Sequence, residues 1–243
     1  MRTSFARDCP RSWSSPIGKQ RTQLKAEVTR LLSSGDLDDG LCRLDGLPTR
    51  GAVNVLLGLL CSEEEALRWR AISALGRVVA GLAEVDTDAA RTTVRRLMWT
   101  LNDESGGIGW GAPEAMAEIM ARRNTLAEEY ANILVSYLDP RGNDLEYVPL
   151  RAGVVWGIGR LAEARPDLLR GAVPFLLPML ESDEAPLRGL AAWAVGRLKA
   201  MDARSHLQAL VDDDAEIRLW TGRGIVTRTV GRLAREALAG LDA

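Results

Sequence analysis

Three stretches of this chain can be laid over one another without a gap. They are Leu67-Arg68 through Gly76-Arg77-Val78, Leu150-Arg151 through Gly159-Arg160-Leu161, and Leu187-Arg188 through Gly196-Arg197-Leu198. A fourth stretch from Ile108 fits with substitutions, and a fifth from Ile217 is degenerate. Successive starts lie 41, 42, 37 and 30 residues apart. A period of this size means that each unit is one supersecondary element burying its apolar face against its neighbours. It constrains the chain more than any composition figure does.

The periodicity inside each unit is helical. Counting its first residue as zero, apolar or small residues recur at positions 0, 4, 7, 8 and 11. In the second copy these are Ile108, Ala112, Ala115, Met116 and Ile119; in the fourth they are Leu187, Ala191, Ala194, Val195 and Leu198. At 100° per residue the set covers about 100° of arc, one helix face. Each unit is therefore read as the second helix of a pair. First helices are expected over Arg50–Cys61, Asp88–Asn102, Thr125–Leu138, Pro166–Glu181 and Ala203–Val211. No stretch is read as a strand.

Four positions before each start stands an acid: Glu63, Glu104, Glu146, Asp183 and Asp213. One position after it stands Arg68, Arg151, Arg188 or Arg218; only the second copy departs, with Gly109. The acids are expected to cap the coming helices, and the acid and arginine to form a charge ladder from repeat to repeat. Gly76, Gly159 and Gly196 recur at position 9, where adjacent helices would approach closely.

The acid, the apolar-Arg start, the Ala-rich centre and the Gly-Arg-Leu end together resemble HEAT repeats. The short, Ala-rich form is similar to the bilin-lyase (PBS lyase) type of HEAT-like repeat, over about 50–241. The resemblance implies an all-α, right-handed α-α superhelix, an armadillo-like solenoid of about five helix pairs. Residues 20–243 are expected to form that single domain, with extra helices over 20–47, behind a disordered tail at 1–19. Seven basic residues up to Arg30 would alternatively make that tail an arm for an acidic partner.

Several chemistries are excluded or made remote. A single histidine, His206, cannot build a His-rich metal centre, and Cys9, Cys42 and Cys61 show no ligand spacing. Cys42 and Cys61 are read as small packed hydrophobes. Neither a GxxxxGK[ST] loop nor a dinucleotide fingerprint occurs. No cofactor or metal is expected. A net charge of −2 opposes general nucleic-acid binding. No apolar run is long enough to span a membrane and no signal-peptide core stands at the start, so a cytoplasmic, bacterial protein is expected.

Two regions carry more than packing. Positions 6 and 10 lie one turn apart on one flank. They hold Ser73 and Arg77, then Glu114 and Glu118, then Trp156 and Arg160, then Trp193 and Arg197. Stacked, these make a strip that is basic, acidic, then twice aromatic-basic. It is either a partner surface, since indole and guanidinium stack on each other and are favoured at binding hot spots, or packing, with Trp156 and Trp193 filling gaps between neighbouring helices and Arg77, Glu118, Arg160 and Arg197 forming ion pairs between repeats. The second copy is irregular, with Asp103, Glu104, four glycines from Gly106 to Gly111, Trp110 and Pro113. Either its helix starts late, with Pro113 in the first turn, or the stretch is a ligand notch. The binding set is therefore Asp103, Glu104, Trp110, Glu114, Glu118, Trp156, Arg160, Trp193 and Arg197, with Trp110, Glu114 and Glu118 expected to line a notch for a positively charged or amide-rich segment. The C-terminal arginines, Arg218 to Arg235 around Trp220, are read as a polar cap, or alternatively as a contact for an acidic partner or nucleic acid.

Glu114 and Glu118 could do acid-base work only if one were buried, and no nucleophile stands beside a base. The leading expectation is a non-enzymatic scaffold or adaptor that binds a protein partner through its concave surface. What the resemblance adds as alternatives is a lyase-like protein handling a tetrapyrrole-type group, or a HEAT-like DNA glycosylase or nucleic-acid binder.

Overall fold

In the computed structural model, residues 16–33, 35–102 and 109–242 are described. Two helices precede the repeats: α1 (Pro16–Ser33) and α2 (Leu37–Leu44). Helix α1 thus begins four residues ahead of the expected domain boundary; the rest of the expected tail lies outside the described residues. Ten further helices follow as pairs. They are α3 (Thr49–Leu59) with α4 (Glu65–Val85), α5 (Thr87–Leu101) with α6 (Ala112–Arg122), α7 (Asn124–Ser136) with α8 (Val148–Ala164), α9 (Val173–Leu180) with α10 (Ala185–Arg197), and α11 (Arg204–Ala209) with α12 (Val230–Leu241). A 3-10 segment, Pro166–Ala172, leads into α9. The architecture is an all-α superhelical repeat fold.

The second helices pack in sequence, α4 on α6, α6 on α8, α8 on α10 and α10 on α12, as one continuous layer. Their repeated apolar positions make the core: Leu67, Ala71, Ala74, Leu75 and Val78 in the first copy, Ala112, Ala115, Met116 and Ile119 in the second, are all buried. Position 9 is where helices touch. A Cβ on Gly76 would stand 2.7 Å from the Cβ of Glu118, and one on Gly196 would stand 2.7 Å from that of Ala237. At Gly159 the next repeat's Trp193 ring fills the space a side chain would need.

The arginine after each start has a different task from the one expected. Arg68 donates to the Ser62 carbonyl, Arg151 to that of Leu145 and Arg188 to that of Ser182, each six residues back. The arginine thus satisfies a turn carbonyl that the helix itself leaves open. One rung of a ladder between repeats exists: Arg188 also reaches Asp213 at 2.8 Å, with both side chains largely buried. Nor do the acids cap as expected. The N-cap positions of α4, α8 and α10 are Glu64, Tyr147 and Glu184, without a side-chain cap bond. Cys42 and Cys61 are exposed rather than packed, because both sit at solvent-facing positions near helix ends.

The fifth unit departs most. Where a second helix was expected at Ile217, the chain forms an antiparallel hairpin of β1 (Glu216–Trp220) and β2 (Ile225–Thr229). Helix α12, directly after it, takes the place in the stack. The physical reason is legible in hindsight. Ile217 and Leu219 alternate with Glu216 and Arg218, and β2 is rich in β-branched residues. The turn between them relies on Gly222, whose φ of +83° a side chain would strain. At its base, Val230 N–H donates to Ala215 and Gly231 N–H to Asp213.

Candidate functional site

The flank at positions 6 and 10 faces a cavity of about 400 Å3. Its floor comes from the second helices: Ser73 on α4, Glu118 and Arg122 on α6, Trp156, Arg160 and Glu163 on α8, Trp193 and Arg197 on α10, and Glu236 on α12. Residues from five stacked helices can line one cavity only if the layer curves around it, so this is the concave face. The hairpin forms the other wall with Leu219, Trp220, Thr221, Val226 and Arg228, and Asp38 of α2 stands at the edge.

Four indoles meet here. Trp156 lies 4.7 Å from Trp69 and 6.4 Å from Trp193, centroid to centroid. Trp220 is stacked 5.8 Å from Trp69 with the planes within 6°. The Trp156 indole N–H donates to the Trp220 carbonyl at 3.2 Å, and Arg197 sits over the Trp193 ring. At the far end of the hairpin wall, Arg218 pairs with Glu65 at the start of α4, 2.6 Å away. The hairpin thus bridges the last repeat and the first across the mouth of the curve.

Charge inside the cavity is mostly spoken for. Glu118, 1% exposed, accepts from Arg160 Nε at 2.9 Å and from Arg122 Nε at 3.2 Å. Glu163 meets Arg160 and Arg197. Arg77 turns away to Asp45. An ionised carboxylate so deeply buried is tolerable only because two guanidiniums flank it.

The expected set therefore divides. Glu118, Trp156, Arg160, Trp193 and Arg197 do come together. Trp110 and Glu114 do not line the cavity, so the notch expected from Trp110, Glu114 and Glu118 together is not formed. Asp103 and Glu104 lie outside the described residues. Trp110 packs edge-on against the exposed Tyr147, centroids 5.8 Å apart. The late-start reading of the second copy is the one realised: Gly111, at φ +70°, caps α6 and Pro113 falls in its first turn. A Cβ on Gly109 would collide with the Thr100 carbonyl at 2.8 Å, which is why no arginine repeat start is found here.

Glu114 has its own environment. Its carboxyl packs on α8, 2.7 Å from where a Gly153 Cβ would be, and its Oε2 has no hydrogen-bond partner. Burial pushes its pKa up to about 7, against smaller opposing pulls from a hydrogen bond donated by its own backbone N–H and from Arg68.

Sequence reasoning passed over Trp69 and Arg122, and read Arg228 and Trp220 as part of a cap. Trp69 occupies position 2 of its copy, as Trp110 does of the next, and that repetition was the available signal. Among the described residues no group of three or more His, Cys, Asp or Glu side chains is placed to hold a metal ion. No described helix is long and apolar enough to cross a membrane.

A family model described as HEAT-like repeat matches residues 148–198, which run from α8 through α10. An "Uncharacterized protein" of Archaeoglobus fulgidus is 34% identical over 146 residues, 60% of this chain and 72% of that one. Among solved structures, a designed armadillo repeat protein in complex with the peptide (KR)4 superposes with a TM-score of 0.58 at 20% identity, covering 93% of this chain and 95% of its own. An engineered protein gives 0.57 at 16% identity, with 91% of each chain covered. These two likenesses show the fold. The repeat geometry above and the matched HEAT-like repeat make this chain a HEAT/armadillo-type repeat protein.

Proposed function

We propose that this protein is a non-enzymatic scaffold that binds a protein partner on its concave face, through the strip of Glu118, Trp156, Arg160, Trp193 and Arg197. The observation that carries this is the convergence of three consecutive repeats' flank residues on one indole- and guanidinium-lined surface, with Trp193 partly and Arg197 half exposed. Aromatic and arginine side chains of this kind dominate binding energy where they are rigidly held. Support of a coarser kind comes from the armadillo neighbour, which holds a peptide. The partner segment stacks on Trp193 and pairs with the free side of Arg197, while the buried Glu118–Arg160 pair fixes the floor.

The test is affinity capture from the native cells with tagged wild type, Trp193→Ala, Arg197→Glu and Trp110→Ala, read by mass spectrometry. The expected result is a protein retained by wild type and Trp110→Ala and lost from the two strip variants. Retention by all four, with the fold confirmed by circular dichroism, places the partner elsewhere.

A further inference from the structure

The cavity keeps hydrogen-bond donors that its internal ion pairs leave open. Three of its four acids are already paired. Glu118 is held by Arg122 and Arg160, Glu163 by Arg160 and Arg197, and Glu236 by Arg232, while Asp38 is exposed at the edge. The donors are not used up. Arg228, on the hairpin wall, has no carboxylate partner among the described residues; its recorded bond is to the neighbouring Thr227 carbonyl. Arg122 and Arg197 each reach their acid through Nε, so their terminal amino groups are available, as a guanidinium carries five N–H donors.

The walls add a shape requirement. Trp193, partly exposed, presents one indole face to the cavity and is backed by the buried Trp156, whose plane lies within 26° of its own. A cavity of about 400 Å3, walled on one side by helices and on the other by a hairpin, is of the size that takes a small molecule. A long peptide needs an open groove, which the hairpin interrupts.

We infer that the cavity between the concave face and the hairpin is a binding site for a small aromatic carboxylate. The ring lies against the partly exposed Trp193, which the buried Trp156 backs, and the carboxylate accepts from Arg228 and Arg197. This does not rest on the scaffold proposal, although it shares Trp193 and Arg197 with it: a bound carboxylate and a docked partner segment compete for them, and the test below involves no protein partner.

The experiment is calorimetric titration of the full chain with three probes of one shape: 2-naphthoate, neutral 2-naphthamide and cationic 2-naphthylmethylammonium. The expected result is saturable binding of 2-naphthoate, about tenfold or more tighter than the amide, with no binding of the ammonium, since a charge-assisted pair exceeds a neutral one by that order. Arg228→Gln and Trp193→Leu should each weaken naphthoate by about fivefold or more, losing one charged or one stacking contact. Arg228 carries no ion pair, so its replacement leaves the fold intact, which a thermal melt verifies. Equal binding of acid and amide, preference for the ammonium, no saturable binding, or unchanged affinity in folded Arg228→Gln would each overturn the inference.

Discussion

Trp220, on a hairpin inserted in the last repeat, lies flat on Trp69 at the start of the first repeat's inner helix, 5.8 Å away and parallel within 6°. Contacts in a repeat solenoid are normally between neighbours. This one ties the ends of the curve together, and the Arg218–Glu65 pair reinforces it. The tie gives the chain a long-range element that its repeats alone do not supply.

Trp220 is 3% exposed, so Trp220→Ala should cost roughly 3–5 kcal/mol in urea unfolding. Trp110→Ala, at a half-buried position against one exposed ring, should cost well under that. Equal losses would show that the hairpin is not a structural tie.

Glu114 makes stability depend on pH. Its folded pKa, near 7, lies above the 4.5 of an ordinary glutamate. A raised carboxyl pKa means that the unfolded chain ionises first. The stability associated with the neutral buried acid is therefore full below pH 4.5, declines as pH rises toward 7 and is gone above it. Glu114→Gln should be more stable than wild type at pH 8 by roughly 1–3 kcal/mol, with the difference vanishing near pH 4. Denaturant midpoints across that range check it; a difference independent of pH would disprove the assignment.

Gly159 cannot grow. Gly159→Leu should lose roughly 1–3 kcal/mol or more as the Trp193 ring is displaced. Gly58→Ala, on the exposed side of α3 with open space around it, should instead gain roughly 0.5–1 kcal/mol from helix propensity. Thermal melts of the pair give opposite signs if the packing is as described.

Arg160 holds the buried Glu118. Arg160→Met should destabilise by roughly 2–4 kcal/mol, since a deeply buried carboxylate then keeps only Arg122. The double variant Arg160→Met, Glu118→Met should recover much of that loss, because two apolar groups replace the pair. A double-mutant cycle on unfolding free energy measures the coupling; additive losses would mean that the two side chains act independently.

Period and residue type determined the solenoid. The recurring apolar positions can be buried only on stacked helix pairs. The first helices expected at Arg50–Cys61, Asp88–Asn102 and Thr125–Leu138 formed within two residues of their expected ends, while the one expected from Pro166 opens with a 3-10 segment and becomes α-helical only at Val173. The strip at positions 6 and 10 was likewise legible, since spacing along a helix dictates which side chains share a flank. Glu118, Trp156, Arg160, Trp193 and Arg197 meet for that reason. What local pattern could not determine was which alternative the fifth unit would adopt. The stretch Glu216–Thr229 carries both a degenerate repeat and a period of two, and the choice fell to tertiary packing. Ile217 fits against Gly189, Trp220 finds Trp69, and α12 supplies the stacked helix in its place. Long-range contacts of this kind leave no trace in spacing along the chain. They decided that the concave strip faces a walled cavity, and that Trp110 and Glu114 stand apart from it.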